Sequence, residues 1–337
     1  MQRVKKSLWL VIMATVLLSV ITVACSDVSS NEPAGDASAV AFSPRLHAPV
    51  TRSTLDNSWT TGQTIRITNG TDTYDYSYDA GTDTWTAVGS KFYWPINNPS
   101  WDFEAWPADY GEAPKTEMTV KANQTANTTD TENDGITEAS YEDYDLLYCP
   151  PTSATYRQPV TLSFLHQMAR VVVILNTNNT EEQDEVTKIE LGNSHIGLKG
   201  SIATQATTSA NATWTLDNSS AYTGKTITMR NRTTADEKKR NVYTFECMLP
   251  PQRYDTSAKL LSITTDYKDG GTTKHHTFSY TATFNYQSGN VYTYDLAASA
   301  AGKIILLNMQ VQPWEAVENI DNTAVYDNVY PGSNVVE

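Results

Sequence analysis

Strict alternation of side chains, rather than helical periodicity, constrains what this chain can become. Thr73-Tyr74-Asp75-Tyr76-Ser77-Tyr78 alternates residue by residue, Ala80-Gly81-Thr82-Asp83 supplies a turn, and Thr84-Trp85-Thr86-Ala87-Val88 alternates again. A period of two sends successive side chains to opposite faces of a strand, so this stretch predicts a hairpin. Further strands are predicted at 91–94, 101–106, 117–121 and 144–148. A stronger set follows at 159–175, 186–192, 213–216, 225–229, 242–249, 259–267, 274–286, 290–297 and 303–312. Regular spacing, with Gly, Asn and Asp between runs, predicts an all-β chain built of β-sandwiches. Its 337 residues suit two of them. With a boundary near Gln158, the expected sandwiches are 39–158 and 159–314, and the polar stretch from Lys121 to Tyr141 is an expected loop.

Composition agrees. Hydrophobic residues are 39% and charged residues 18%, so most of the polar surface is uncharged; threonine is abundant and there are 19 tyrosines. Both residue types suit a pleated, half-buried surface. Lys and Arg number 24 against 38 Asp and Glu, a net charge of −14. That balance lacks the basic footprint that nucleic acid or an anionic lipid surface requires. After the first two dozen residues no long apolar run occurs, which excludes a polytopic helical membrane protein.

The N-terminus reads as an address. Arg3, Lys5 and Lys6 precede an apolar stretch from Leu8 to Ala24 that stops at Cys25. Thr22-Val23-Ala24-Cys25 resembles a bacterial lipobox, with Thr22 where Leu is usual. The implied chemistry is a diacylglyceryl group on the Cys25 thiol, cleavage before Cys25, and acylation of the new amine. Several acyl chains anchor stably where one does not. The alternative is an ordinary secretory signal with an incidental cysteine. Residues 1–24 are then a signal peptide and 25–38 a flexible tether of Ser, Asn, Asp, Gly and Ala.

From 40 to 50 the even positions are Val40, Phe42, Pro44, Leu46, Ala48 and Val50, and the odd ones include Ser43, Arg45 and His47. One face of such a strand would be buried. Its prolines, which cannot donate to a ladder, place it at a sheet edge. Thr51-Arg52-Ser53 follows directly, a site for an arginine-specific protease. An edge strand beside a cleavable arginine can be removed, leaving an apolar groove and an unpaired sheet edge as a template for another strand.

Several motifs resemble the fimbrillins, the type V pilin family. They are Thr51-Arg52 with Trp59 and Gly62-Gln63-Thr64-Ile65; Phe92-Tyr93-Trp94-Pro95; Trp101 through Pro107; Leu162 through Val171; Gly289-Asn290-Val291-Tyr292-Thr293-Tyr294-Asp295-Leu296; and Val311-Gln312-Pro313-Trp314. The resemblance implies a lipoprotein precursor of two tandem transthyretin-like Greek-key β-sandwiches, exported to the outer membrane as a fimbrial subunit for surface adhesion. It implies removal of the first strand by an arginine-specific protease, and filling of the groove by the C-terminal segment of a neighbouring subunit. Carried over, Arg52 is the cleavage site, with Arg45 second because cutting there leaves Leu46–Val50 behind. The donor would lie in the tail 315–337, where Val325, Tyr326, Val329 and Tyr330 supply apolar side chains. Tip, anchor and accessory roles occur in the same family, and a glycan-binding surface lipoprotein is the rival reading.

No catalytic, cofactor or metal site is expected. His47, His166, His195, His275 and His276 fall in no metalloprotease spacing, and no Gly-x-Ser-x-Gly motif occurs. Asp130-x-Glu132-x-Asp134-Gly135 resembles a calcium loop but has Tyr141 where the bidentate Glu belongs, so an acidic loop is expected. His166 lies where the apolar phase switches and reads as a structural histidine at a bulge. Trp101 and Trp106 stand beside Asp102 and Glu104, the aromatic-carboxylate mixture of sugar sites, and are the candidate glycan contacts; alternation places Trp106 on the face opposite Phe103. Cys149 and Cys247 are either a disulfide or two buried thiols.

Overall fold

The computed structural model describes residues 38–46, 59–95, 100–125, 141–177, 185–205, 212–269, 271–298 and 304–314. Among them nearly every element is a strand, and the fold is all-β. Cys25, His47, Arg52, the acidic segment 130–135 and the tail from 315 lie outside the described residues, as does most of the expected loop 121–141.

One sheet has seven strands: β1 (Phe42–Leu46), β2 (Thr64–Thr68), β3 (Thr73–Asp79), β4 (Thr84–Ala87), β5 (Ser100–Pro107), β7 (Leu147–Thr155) and β8 (Val160–His166). Their order is β1-β8-β7-β5-β2-β3-β4. The expected hairpin is present as β3 and β4, with Tyr76 opposite Ala87 and Tyr78 opposite Trp85. Asp83 takes a positive φ of 52° in its turn, a conformation Asp tolerates better than most residues.

The remaining strands form three sheets. Four belong to β10 (Glu185–Ile196), β13 (Lys225–Thr228), β16 (Gln252–Asp269) and β17 (Thr272–Tyr286). Three belong to β6 (Glu117–Thr119), β11 (Lys199–Thr204) and β12 (Thr213–Leu216). Five belong to β9 (Ala169–Asn176), β14 (Arg230–Asn231), β15 (Val242–Leu249), β18 (Asn290–Ala298) and β19 (Ile304–Pro313), in the order β14-β15-β9-β18-β19. A single helical turn, α1 (Ala235–Lys239), starts at a capping box: Glu237 N–H donates to Thr234 Oγ1 while the Glu237 carboxylate accepts from Thr234 N–H.

The run expected as one strand, 159–175, is two. β8 pairs with β1 and β7, whereas β9 lies between β15 and β18 in another sheet. The break falls at Gln167-Met168, where the apolar phase switches. β9 is buried on both faces from Ala169 to Leu175, so its side chains need no polar alternation.

Two hydrophobic clusters result, and they interleave along the chain. The smaller contains Ile65, Ile67, Phe92, Trp94, Phe103 and Cys149, and also Leu162 and Phe164 from beyond Gln158. The larger contains β9, β15 and β18 side chains together with Met118, Val120, Tyr144 and Leu146 from before it. Cys149 and Cys247 thus sit in different clusters, and both are free, buried thiols. Burial pushes the Cys149 thiol up to about 12 and the Cys247 thiol well above its ordinary value.

The larger cluster encloses a charged group. Glu246 is fully buried, and its Oε2 accepts from Arg170 Nη2 at 2.6 Å, from Arg170 Nε at 3.2 Å and from Arg232 Nη1 at 3.0 Å. Glu246→Ala is expected to lower the unfolding free energy by about 3–5 kcal/mol, because it takes the shared carboxylate from two guanidinium groups, one of them buried. Equilibrium urea denaturation measures this; a loss under about 1 kcal/mol would contradict the network's role. The Cys149 thiol gives a pH prediction. It ionises near 9 in an unfolded chain and near 12 in the folded one, so its contribution is complete below pH 9 and is lost as pH rises toward 12. Replacing it (Cys149→Ala) should flatten the alkaline decline of the urea midpoint over that window.

Candidate functional site: the edge strand and its groove

β1 is the outermost strand of the seven-stranded sheet, a place that suits Pro44, and it runs parallel to β8. Phe42 lies opposite Val160, Pro44 opposite Leu162, Arg45 opposite Ser163 and Leu46 opposite Phe164. The Ala41 carbonyl accepts from Val160 N–H at 2.8 Å, whereas Val40 N–H donates to the Phe92 carbonyl at 3.0 Å on the other side. In a strand these directions alternate, so the missing N–H of Pro44 falls on the side away from β8. The proline costs the β1–β8 ladder nothing and leaves the outer edge one donor short.

The alternation read from the sequence also holds in space. Val40, Pro44 and Leu46 are buried, while Arg45 is exposed. Phe42 sets its ring edge-on to Tyr76 and Phe103, both at 5.0 Å, and to Phe92 at 5.8 Å. Val40 and Leu46 each gain about 1.5–3 kcal/mol from burial and the half-buried Phe42 a part of that, which together is a large share of the roughly 5–15 kcal/mol that holds a domain folded. The groove floor beneath them is Phe92, Phe103 and Phe164, all essentially fully buried.

β8 depends on β1 in a second way. Its residues Val160 to Phe164 are in register with β1, whereas its register with β7 covers only Leu165 and His166. Beyond Tyr148, β7 turns to pair with β5. Removing β1 would therefore expose both an apolar floor and a row of unpaired backbone groups on β8.

The far end of β8 meets a junction that sequence reasoning missed. His166 is buried, with Nδ1 2.7 Å from Asp145 Oδ1, and its ring stacks on Trp314 at 4.4 Å and 4°. Arg170 lies over the same indole at 5.8 Å. Trp314 N–H donates to the Gly289 carbonyl at 2.7 Å, and Gly289 N–H to the Met168 carbonyl at 2.8 Å. Gly289 has φ +67°, and a Cβ there would stand 3.1 Å from the His166 carbonyl, so the close approach needs glycine. Three motif segments, around His166, Gly289 and Trp314, therefore converge. The usable signal was the Gly-Asn and Pro-Trp pairs at strand ends.

The aromatic-carboxylate segment turns out to be packing. Phe103 and Ala105 face the core as expected, but Trp106 is only 3% exposed and its indole N–H donates to the Gly111 carbonyl at 3.0 Å. A bulge between Phe103 and Ala105 shifts the register, and the opposite face is covered there as well. This corrects the expectation of Trp106 as a glycan contact. Trp101 is half-buried and stacks on Trp94. Glu104 accepts from the Tyr148 hydroxyl at 2.7 Å and Asp102 from Ser153, so each carboxylate ties β5 to β7. Among the described residues no group of three or more His, Cys, Asp or Glu is placed to hold a metal ion.

Comparison with known structures shows the same fold. A protein provisionally described as a cell adhesion protein from Bacteroides uniformis superposes with a TM-score of 0.52 at 18% identity, over 82% of this chain and 99% of that one. A second so described, from Bacteroides ovatus, gives 0.52 at 15% identity over 84% and 99%. Comparison with curated proteins gives no significant match. The profile of the fimbrillin-like family matches residues 51–314, most of the chain and every motif segment from Thr51 to Trp314. The chain belongs to the fimbrillin-like family.

Proposed function

We propose that this protein is a fimbrial subunit at the cell surface, made as a lipoprotein precursor and assembled by strand exchange. One observation carries the reading: β1 is an edge strand whose side chains fill the smaller core and whose backbone is in register with residues 160–164 of β8. A strand in that position can leave by giving up one ladder, that with β8, and the short bridge that Ser38 and Val40 make to Trp94 and Phe92. What it leaves behind is a groove that is apolar, pre-shaped and open along one backbone edge. Family membership supports assembly with other fimbrial subunits.

In this mechanism Cys25 carries the lipid anchor at the outer membrane, residues 25–38 hold the body off it, and an arginine-specific protease cuts after Arg52. Arg45 is the poorer site. It lies within β1, opposite Ser163, whereas a protease must bind its substrate strand extended and unpaired. Cutting there would also leave Leu46, a buried core residue, on the body of the protein. The incoming strand is the tail of a neighbouring subunit, with Val325 and Val329 on one face and Tyr326 and Tyr330 on the other. It would have to reproduce what β1 supplies: apolar side chains at alternate positions, with partners for the β8 ladder.

Three outcomes are expected. In Arg52→Ala cells the SDS-resistant ladders of surface material should disappear, and wild-type assembled protein should begin at Ser53 on N-terminal sequencing. Assembled material that still begins at lipidated Cys25 would overturn the cleavage step. Val325→Asp with Val329→Asp should abolish ladders while leaving the melting temperature of the precursor within about 2 °C of wild type. Ladders that survive in this variant would remove the tail as the donor.

A further inference from the structure

The root of the tail and the groove of β1 are joined by one strand, and we propose that β8 couples them: whether the β1 site is filled determines how firmly Trp314 is seated. Its use in assembly rests on the strand-exchange reading above; the coupling rests on the packing alone.

Leu46, the last residue of β1, lies opposite Phe164, and His166 is two residues further along β8. Side chains two apart on a strand point to the same face, so Phe164 in the groove floor and His166 in the junction are displaced together by any twist or slip of β8. Residues 160–164 are in register with β1, and only Leu165 and His166 with β7. β1 is thus the element that fixes the position of most of β8.

At its other end His166 holds Trp314. The two rings are parallel within 4° and 4.4 Å apart, Asp145 fixes the imidazole through Nδ1 at 2.7 Å, and Arg170 lies over the indole at 5.8 Å. Trp314 is 2% exposed and is the last residue before the tail. It ends β19, which is an edge strand paired only with β18 among the described strands. That strand carries Ile305, Leu307, Met309 and Val311 exposed to solvent while Ile304 and Leu306 pack against the larger core, so it is held by its ladder to β18, by that packing and by the Trp314 clamp. With β1 in place, the clamp is aligned and the tail has a fixed root. When β1 leaves, residues 160–164 of β8 lose the strand in register with them while Leu165 and His166 keep β7, so the imidazole is held from one end of β8 only and the tail root loosens. When a donor strand fills the groove, β8 is paired again and the root is fixed again. A subunit's tail is in this way freest between cleavage and filling of its own groove.

Coupling between two sites is reciprocal, and that gives the test. Hydrogen exchange is followed by mass spectrometry on the full-length precursor as wild type, as Leu46→Ala and as His166→Ala, with β16 residues 260–263 in the larger core as the internal standard. Leu46→Ala should accelerate exchange across 304–313 by about tenfold or more while 260–263 stay unchanged. His166→Ala should in turn accelerate exchange across 42–46. Phe42→Ala serves as a second weakening of β1 if Leu46→Ala does not fold. A synthetic peptide of residues 38–50 added to the protein cut after Arg52, once its own β1 has dissociated, should restore slow exchange at 304–313. Exchange at 304–313 that is unchanged, or that rises only in step with 260–263, would overturn the coupling. Either result would leave the cleavage and ladder experiments intact, since those read the groove and the donor rather than the clamp.

Discussion

The parallel pairing of β1 with β8 decides the rest of the smaller core. Backbone N–H and C=O groups removed from water must find partners, and for residues 160–164 of β8 those in register are on β1. The same short segment contributes Val40, Phe42 and Leu46 to the apolar cluster. Five to seven residues therefore satisfy a ladder and fill a core at once. This double dependence makes β1 separable yet not dispensable. A strand that only paired could leave with little consequence, and one that only packed could be replaced by any apolar surface. One that does both can be replaced only by another strand with the same alternation. Chemical specificity for a strand-like partner follows from geometry without any dedicated recognition residue.

Much of this was legible in the sequence, because the alternation from Val40 to Leu46 is a local property and the prolines restrict where such a strand can lie. The hairpin from Thr73 to Ala87 was legible for the same reason. What lay beyond reach were the non-local choices. Residues 159–175 read as one strand with a phase switch at His166, and periodicity does not say whether such a switch is a bulge or a crossing from one sheet to another. β6 shows the same blindness. Met118 and Val120 precede the residues of the smaller core in β7 and β8, yet they pack in the larger cluster, since β6 pairs with β11 some eighty residues later.

The candidate chemistry illustrates a different limit. Trp106 and Glu104 sit in a segment whose composition suits sugar binding, but composition does not say which face is covered. The irregularity after Phe103 places its extra residue on β7, so β5 keeps its alternation and Trp106 is buried on the face opposite Phe103; buried tryptophan then needs a hydrogen-bond partner, which the Gly111 carbonyl supplies. Tyr148 and Glu104 follow the same logic: burial raises the tyrosine's pKa and keeps its proton, and the carboxylate accepts it. His166 was expected at a bulge but stands at the end of β8, and its partners Asp145 and Trp314 lie 21 and 148 residues away in sequence. No spacing motif connects them.

The proline of β1 blunts the outer edge of the seven-stranded sheet. An outermost strand presents unused donors and acceptors, the usual route to edge-to-edge association. Pro44 removes the donor that would face outward, as the direction of the Ala41–Val160 and Val40–Phe92 bonds fixes, while the inward ladder is untouched. The net negative charge of the chain adds repulsion between copies at long range. Both devices act against unplanned contact without weakening the strand's own pairing. β8 carries no such protection. From Val160 to His166 it has no proline, and its alternate residues Val160, Leu162 and Phe164 are buried. The covering strand is poor at accepting a neighbour and the strand beneath it is good at it. Removal of β1 would therefore turn the edge from closed to receptive in a single step.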